Sequence, residues 1–377
     1  MGKIMYQTGV YYFPNYHVDP RNEIVHGSGW TEWELMRQAK PRFSGHSQPR
    51  IPLWGYEDES DPVVFAKKIA AAADHAITHF IFDWYWYNDG PFLNRCLDVG
   101  YMDAPNNSRL KFALMWANHD WSDIHPAKYR NNGDVLYPGA VTPETFEIMT
   151  DNIISKYFIH PGYWTIDGLP YFSIYDLSAF INGFGGLEGA RIALDGFRVK
   201  TIAAGLSGIH LNAVVWSIKI LPNEQKIDDP NTMLKYLGFN SITSYVWVHH
   251  VALDQFPTME YADIAVKADA SREKITKEFD LPYHPNVTMG WDSSPRACQS
   301  DVFENIGYPF TPVIQGNTPD AFRKSLADTK AFLDANGEHK ILNINSWNEW
   351  TEGSYIEPDT IKGMAYLEAI RDVFGEG

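Results

Sequence analysis

Short apolar runs alternate with helix-period segments along the whole 377-residue chain. Each run ends in a burst of aromatic and hydrogen-bonding side chains. The runs cover residues 9–14, 79–86, 110–116, 169–175, 210–216, 240–247, 286–291 and a last one from Lys340, with Ile341, Leu342 and Ile344 as its apolar residues. Each reads as a buried strand. Between them, residues 61–75 open on Asp61-Pro62 and repeat Phe65, Ile69, Ala72 and Ala73 at helical spacing. Residues 142–158 place Phe146, Met149, Ile153, Ile154 and Tyr157 on one stripe behind Thr142 and Glu144. Further helices are expected over 91–99, 186–204, 231–237, 261–279, 318–336 and 364–374.

Alternation of this kind, repeated eight times, is the pattern of a single (β/α)8 TIM barrel. Such a barrel builds its active site at the C-terminal ends of its strands. A doubly wound open sheet is the runner-up, but Phe13-Pro14-Asn15 is unlike that fold's glycine-rich first turn. No repeat or linker divides residues 1–377, so one catalytic domain is expected, with a long insertion at about 19–58 after the first strand. Pro41, Pro49, Pro52 and Gly55 punctuate that insertion.

The strand ends carry the candidate binding residues. Tyr12 and Asn15 follow the first strand, with Trp30 in the insertion; Asp83, Trp84 and Trp86 close the second; Trp116, Asn118 and His119 the third. Tyr175 and Asp176 follow the fourth, Trp216 the fifth, Tyr245, Trp247, His249 and His250 the sixth, and Trp291, Asp292 and Arg296 the seventh. The eighth strand runs into Trp347, Asn348, Glu349, Trp350 and Glu352. If that turn is helical, Glu349 and Glu352 share one face, with Cβ atoms roughly 5–6 Å apart. Paired carboxylates beside flat aromatic faces suit acid–base work on a sugar. A helix start with acidic residues near its dipole is the bland alternative, and it does not call for the tryptophans. Asp83 reads either as a third carboxylate of the site or as a structural residue. His249-His250 is a poor metal pair, since adjacent strand positions face opposite ways; no metal and no cofactor are expected.

Composition narrows the partners. With 31 Lys+Arg against 47 Asp+Glu, the net charge of −16 argues against nucleic acid and anionic membrane surfaces. Thirteen Trp, 21 Tyr and 21 Phe exceed what a core alone needs, and many stand beside Asn, Asp, His and Glu, as a carbohydrate site requires. Cys96 and Cys298 have no metal spacing and are expected to be buried thiols. No run approaches about 18 consecutive apolar residues, so no membrane span is expected. The start shows no apolar leader segment. That implies a cytoplasmic protein if the start is native, and a secreted or periplasmic one if it is a trimmed mature form. Oligomeric state leaves no mark.

Ser346-Trp-Asn-Glu-Trp-Thr-Glu-Gly-Ser-Tyr-Ile-Glu-Pro-Asp359 resembles the signature of the WbsX-type domains. These are similar in turn to family 99 glycoside hydrolases, the endo-α-mannosidases and endo-α-mannanases. Tyr11-Tyr-Phe-Pro-Asn-Tyr-His17, Gly29-Trp-Thr-Glu-Trp33, Pro49-Arg-Ile-Pro-Leu-Trp-Gly-Tyr56, Phe82-Asp-Trp-Tyr-Trp-Tyr87 and Trp116-Ala-Asn118 extend the likeness over essentially the full length. The resemblance implies a metal-free barrel in which Glu349 is the base and Glu352 the general acid/base. It further implies retention through attack of the sugar's own 2-hydroxyl on C1, giving a 1,2-anhydro sugar that water opens. The family 99 motif carries His where Thr351 stands here.

The expected function is therefore a glycoside hydrolase acting on an α-linked oligosaccharide or polysaccharide, a mannoside being the case the resemblance suggests. One alternative is a glycosyltransferase or transglycosylase of polysaccharide (O-antigen) assembly, the activity for which WbsX-type domains are named. No Asp-x-Asp nucleotide–metal site and no glycine-rich phosphate cradle support it. The other is a non-catalytic carbohydrate-binding barrel.

Overall fold

The computed structural model describes residues 6–131, 133–221, 223–225, 227–336 and 339–375. Residues 1–5, on which the leader reading rests, lie outside them. Nine parallel strand segments form the sheet: β1 (Gln7–Tyr12), β2 (His79–Tyr87), β3 (Lys111–Trp116), β4 (Leu169–Ile174), β5 (His210–Val214), β6 (Ser241–Thr243), β7 (Tyr283–His284), β8 (Asn286–Thr288) and β9 (Ile341–Asn345). Their order is β7-β6-β5-β4-β3-β2-β1-β9-β8, and every neighbouring pair is parallel. β7 and β8 are two parts of one stave separated by Pro285, which has no N–H to give a ladder. One part pairs with β6 and the other with β9, so the chain itself closes a (β/α)8 barrel.

The helices follow in order as α1 (Pro20–His26), α2 (Trp33–Gln38), α3 (Pro62–Ala73), α4 (Pro143–Asn152), α5 (Leu177–Gly183), α6 (Leu187–Ala203), α7 (Pro230–Leu237), α8 (Tyr261–Glu278), α9 (Pro319–Asn336) and α10 (Ala365–Phe374). Local chemistry sets their starts. Asp61 caps α3 by accepting from the Val63 N–H, and Pro62 occupies the first turn, where no N–H is needed. Thr142 caps α4 in the same way. The stretch 91–99 is a correction: Gly90–Phe92 turns back along β2 as a short antiparallel strand, and Cys96–Tyr101 forms the helical turn. Cys96 is buried but Cys298 is only half-buried, and both are unbridged. Among the described residues no helix is long and apolar enough to cross a membrane.

Alternation along the strands decides what faces inward. On β2, Phe80 and Phe82 pack outward with Phe65 and Tyr101, while Asp83 and Tyr85 point into the barrel mouth. Lower in the barrel a polar layer replaces the usual branched aliphatics. Ser173 donates to Asn212 (2.9 Å), Asn212 to Ser241 (2.8 Å) and Asn343 to Thr243 (2.8 Å). Gly9 belongs to this layer. A Cβ there would sit 2.6 Å from His79 Nε2 and 2.7 Å from Asn343 Oδ1. Gly9→Ala is therefore expected to cost about 1–3 kcal/mol through overpacking, read as a lower urea midpoint at unchanged slope.

Candidate active site

The turn after β9 is built before it is functional. Asn348 accepts from the Phe13 N–H (2.8 Å) and donates to the Phe13 carbonyl (2.7 Å), joining the ends of β1 and β9. It also donates to Glu59 (2.8 Å). Glu59 and Glu357 flank the buried ammonium of Lys68, at 2.7 and 2.9 Å. Trp350 donates to Glu357 (2.8 Å) and stacks on Tyr355 with ring centroids 3.7 Å apart. Trp350–Glu352 form a single 3₁₀ turn closed by Gly353 at φ 62. A Cβ on Gly353 would lie 2.6 Å from that of Asp292, so glycine is required there. In a 3₁₀ turn, residues three apart eclipse, and this brings Glu349 and Glu352 to the same side.

Arg296 sits between them. Its Nη1 donates to Glu352 (2.6 Å) and to the Tyr308 hydroxyl (2.6 Å), and its Nη2 to Glu349 (3.2 Å). Its Nε donates to Glu32 (2.8 Å), a buried residue of the insertion. Tyr308 donates in turn to Glu352 (2.8 Å), and Tyr245 lies 3.0 Å from Glu349 and 2.7 Å from Asp83. Each glutamate thus meets one guanidinium N–H and one tyrosine hydroxyl. Thr351 donates to Glu32, which Asn15 also holds at 2.6 Å.

Electrostatics follow from burial and this single cation. Burial, reinforced by Glu352, pushes the Glu349 carboxyl well above the usual range, against the pull of Arg296. Burial also raises Glu352, less far because Arg296 and Tyr308 oppose it. Burial raises Asp83. For Glu32 burial is outweighed by Arg296 and the Thr351 hydroxyl, and its carboxyl stays low. Burial pushes His125 and His249 down to about 3, so both imidazoles are neutral.

The carboxylates open into a cavity of about 70 Å³, lined also by Phe13, Tyr85, His119, Trp121, Tyr175 and Trp291. At roughly 10–15 Å³ per water, that is room for about one sugar ring. Among the described residues, no group of three or more His, Cys, Asp and Glu side chains is placed to hold a metal ion.

Of the residues expected from the sequence, Asp83, His119, Tyr175, Tyr245, His249, Trp291, Arg296, Glu349 and Glu352 line this cavity. Others do not. Trp84 and Trp86 occupy the opposite face of β2, packed on each other at 5.4 Å. Trp116 is outward against Phe146 and Phe180, and Trp347 outward against Phe80. Trp247 is a core residue on Tyr261, its indole N–H donating to the Asn286 carbonyl. Tyr12 donates to Glu59 behind the turn, Asn118 bridges to the Asp176 backbone, and Asn15 and Asn348 are buried braces. Trp216 stacks on the outer side of Tyr175 at 5.2 Å and lines a separate cavity with His250. Trp30 stacks on His26 within the insertion. Sequence reasoning missed Tyr85, Trp121, His125, Tyr308 and Glu32. Tyr85 shares the parity of Asp83 and was legible on that ground; Trp121 lies on a two-residue strand beyond the third stave, and His125, Tyr308 and Glu32 come from loops without periodicity.

A family model described as Glycosyltransferase WbsX matches residues 9–370. A Xanthomonas campestris pv. campestris protein described as Uncharacterized protein WxcX is 25% identical over 374 residues, which is 96% of this chain and 48% of that protein. The chain thus spans about half the length of the curated relatives it matches. Among solved structures, a GH99 endo-alpha-mannosidase from Bacteroides thetaiotaomicron superposes with a TM-score of 0.58 at 14% identity, covering 98% of this chain and 96% of its own. A glycoside hydrolase-like protein gives a TM-score of 0.60 at 15% identity over 100% and 95%. At such identities the superpositions speak to the fold.

Proposed function

The chain belongs to the WbsX glycosyltransferase family, and on that premise we propose that its chemistry is glycoside hydrolysis of an α-linked glycan, with a mannoside the first substrate to test. One observation carries the reading: two buried carboxylates, Glu349 at the N-cap and Glu352 at the end of one 3₁₀ turn, both bound to Arg296, open into a cavity sized for a sugar ring.

In the proposed reaction the pair acts in the form with its proton on Glu352, although burial raises Glu349 further in the free protein, and Glu349 takes the proton of the sugar 2-hydroxyl. The freed oxygen attacks C1 as the glycosidic bond breaks, and Glu352 gives its proton to the departing oxygen. The product of this step is a 1,2-anhydro sugar. Water then adds at C1, losing its proton to Glu352, and Glu349 returns its proton to the 2-oxygen. Configuration is retained overall, and no covalent enzyme intermediate forms. The substrate supplies its own nucleophile, so the carboxylates have only to move protons. Phe13, with the Arg296 guanidinium 5.1 Å from its ring, and Trp291 supply apolar walls for the ring.

The test is incubation with a panel of α-linked oligosaccharides and polysaccharides, with products followed by proton NMR. New reducing ends that first appear in the α-configuration are the expected result. No release from any glycan, together with turnover of a nucleotide sugar, would replace this reading with the transferase one that the family's description favours.

A further inference from the structure

The Tyr245 hydroxyl stands between two buried carboxyls, 2.7 Å from Asp83 Oδ2 and 3.0 Å from Glu349 Oε1. It has one proton to donate. Two ionised carboxylates at these distances would leave one of them facing an oxygen lone pair. One of the two must therefore carry a proton and donate it to Tyr245. The surroundings choose which. Glu349 has the Arg296 Nη2 at 3.2 Å. Asp83 is only 2% exposed and has no ion-pair partner among the described residues, and its Oδ1 has no hydrogen-bond partner. The groups facing Asp83 are Tyr85 on its own strand, Tyr11 on β1, Tyr245 after β6, Arg296 after β8, and Glu349 and Glu352 after β9. Two of these are further carboxyls, and the cation is committed to three glutamates.

We propose that Asp83 is a neutral carboxylic acid that donates to the Tyr245 oxygen, so that Tyr245 donates to Glu349 and holds it ionised as the base. Asp83 and Tyr245 are then positioning residues. An ionised Asp83 would accept the Tyr245 hydrogen bond at its shorter distance and leave Glu349 to acquire a proton of its own, which would disable it as a base. Burial pushes Asp83 and Glu349 upward alike, so the choice between them rests on the Arg296 contact that Glu349 has and Asp83 lacks.

The kinetic half of this proposal rests on the hydrolase reading, but the protonation half does not. The intact protein labelled with carbon-13 at aspartate carboxyls gives the independent test. One resonance at a protonated-carboxyl position, unmoved between pH 5 and 8 and absent from Asp83→Asn, is expected. An Asp83 signal that titrates near the ordinary value of about 3.9, or that stays in the carboxylate position throughout, overturns the proposal whatever the enzyme does. In kinetics, Asp83→Ala is expected to lower kcat/KM by about 100-fold, because Tyr245 loses its orienting partner. Asp83→Asn, which still offers an N–H to Tyr245, is expected to restore it to within about threefold and leave the acidic limb of the pH profile in place. Tyr245→Phe removes the donor to Glu349 and is expected to move that limb up by about one pH unit. An acidic limb that falls by a unit or more in Asp83→Asn would mean that a negative charge had been removed beside Glu349, and that Asp83 was ionised after all.

Discussion

Glu352→Gln is expected to lower kcat/KM on a natural glycan by about 10²–10⁴-fold, the range for loss of a positioned general acid. A substrate with a good aryl leaving group should keep most of its rate in this variant, because such an oxygen departs without a proton. Glu349→Gln should lose both substrates alike, since the 2-hydroxyl must be deprotonated whatever the leaving group. Equal losses on the two substrates in Glu352→Gln would remove Glu352 from the acid role. A stability change should accompany the loss. Burial raises both carboxyls in the fold, so between the unfolded value and the raised one the folded protein keeps protons there that the unfolded chain has released. With fewer protons bound in the unfolded state, stability falls as pH rises from the unfolded value, about 4.3, up to the folded one, and then levels. The Gln variants lack one such group. They should unfold at higher urea than the parent at neutral pH, with the difference closing as pH falls toward 4. Gain in stability with loss of activity is the usual signature of a site that strains its own fold.

Arg296→Met is expected to do the reverse and destabilise the chain, by about 3–5 kcal/mol, since removing one member of a buried ionic cluster leaves the rest uncompensated. Arg296 is 6% exposed and holds Glu32, Glu349 and Glu352 at once. Urea unfolding at neutral pH should show the loss. It should shrink toward acid pH as the orphaned carboxyls take up protons, and partly reverse in the Arg296→Met/Glu32→Gln double variant. Arg296→Lys keeps the charge but not the planar fork, and cannot reach three carboxylates together. It should recover part of the stability and little of the activity. A loss under 1 kcal/mol in Arg296→Met would show that the three glutamates are neutral in the parent, and that the charge on Arg296 is not what holds them.

The barrel was legible because its determinants are periodic. Strand runs such as 79–86 and helical stripes such as Phe65-Ile69-Ala72 carry their own spacing. What the runs do not carry is where pairing breaks: Pro285 splits the seventh stave into β7 and β8, and residues 91–99 divide between a strand return and a helical turn. The site was legible to the extent that strand ends point at it. Reading both parities of one strand as sugar-facing admitted Trp84 and Trp86 alongside Asp83, although a pleat allows one set. Glu32 had no such signal. It lies in the insertion, 264 positions from the arginine it binds, and only the folded chain brings the two together.

The outward tryptophans have a consequence for anyone following this protein by light. Of the 13 indoles in the chain, Trp121 and Trp291 line the cavity, whereas Trp84, Trp86, Trp116, Trp164, Trp347 and Trp350 sit in protein on all sides. Buried indoles of that kind emit from a dry, fixed environment that an incoming sugar does not touch. Emission from these six is therefore a gauge of whether the protein packed around them is intact. Occupancy of the cavity modulates a minority of the signal, carried by two rings on opposite rims.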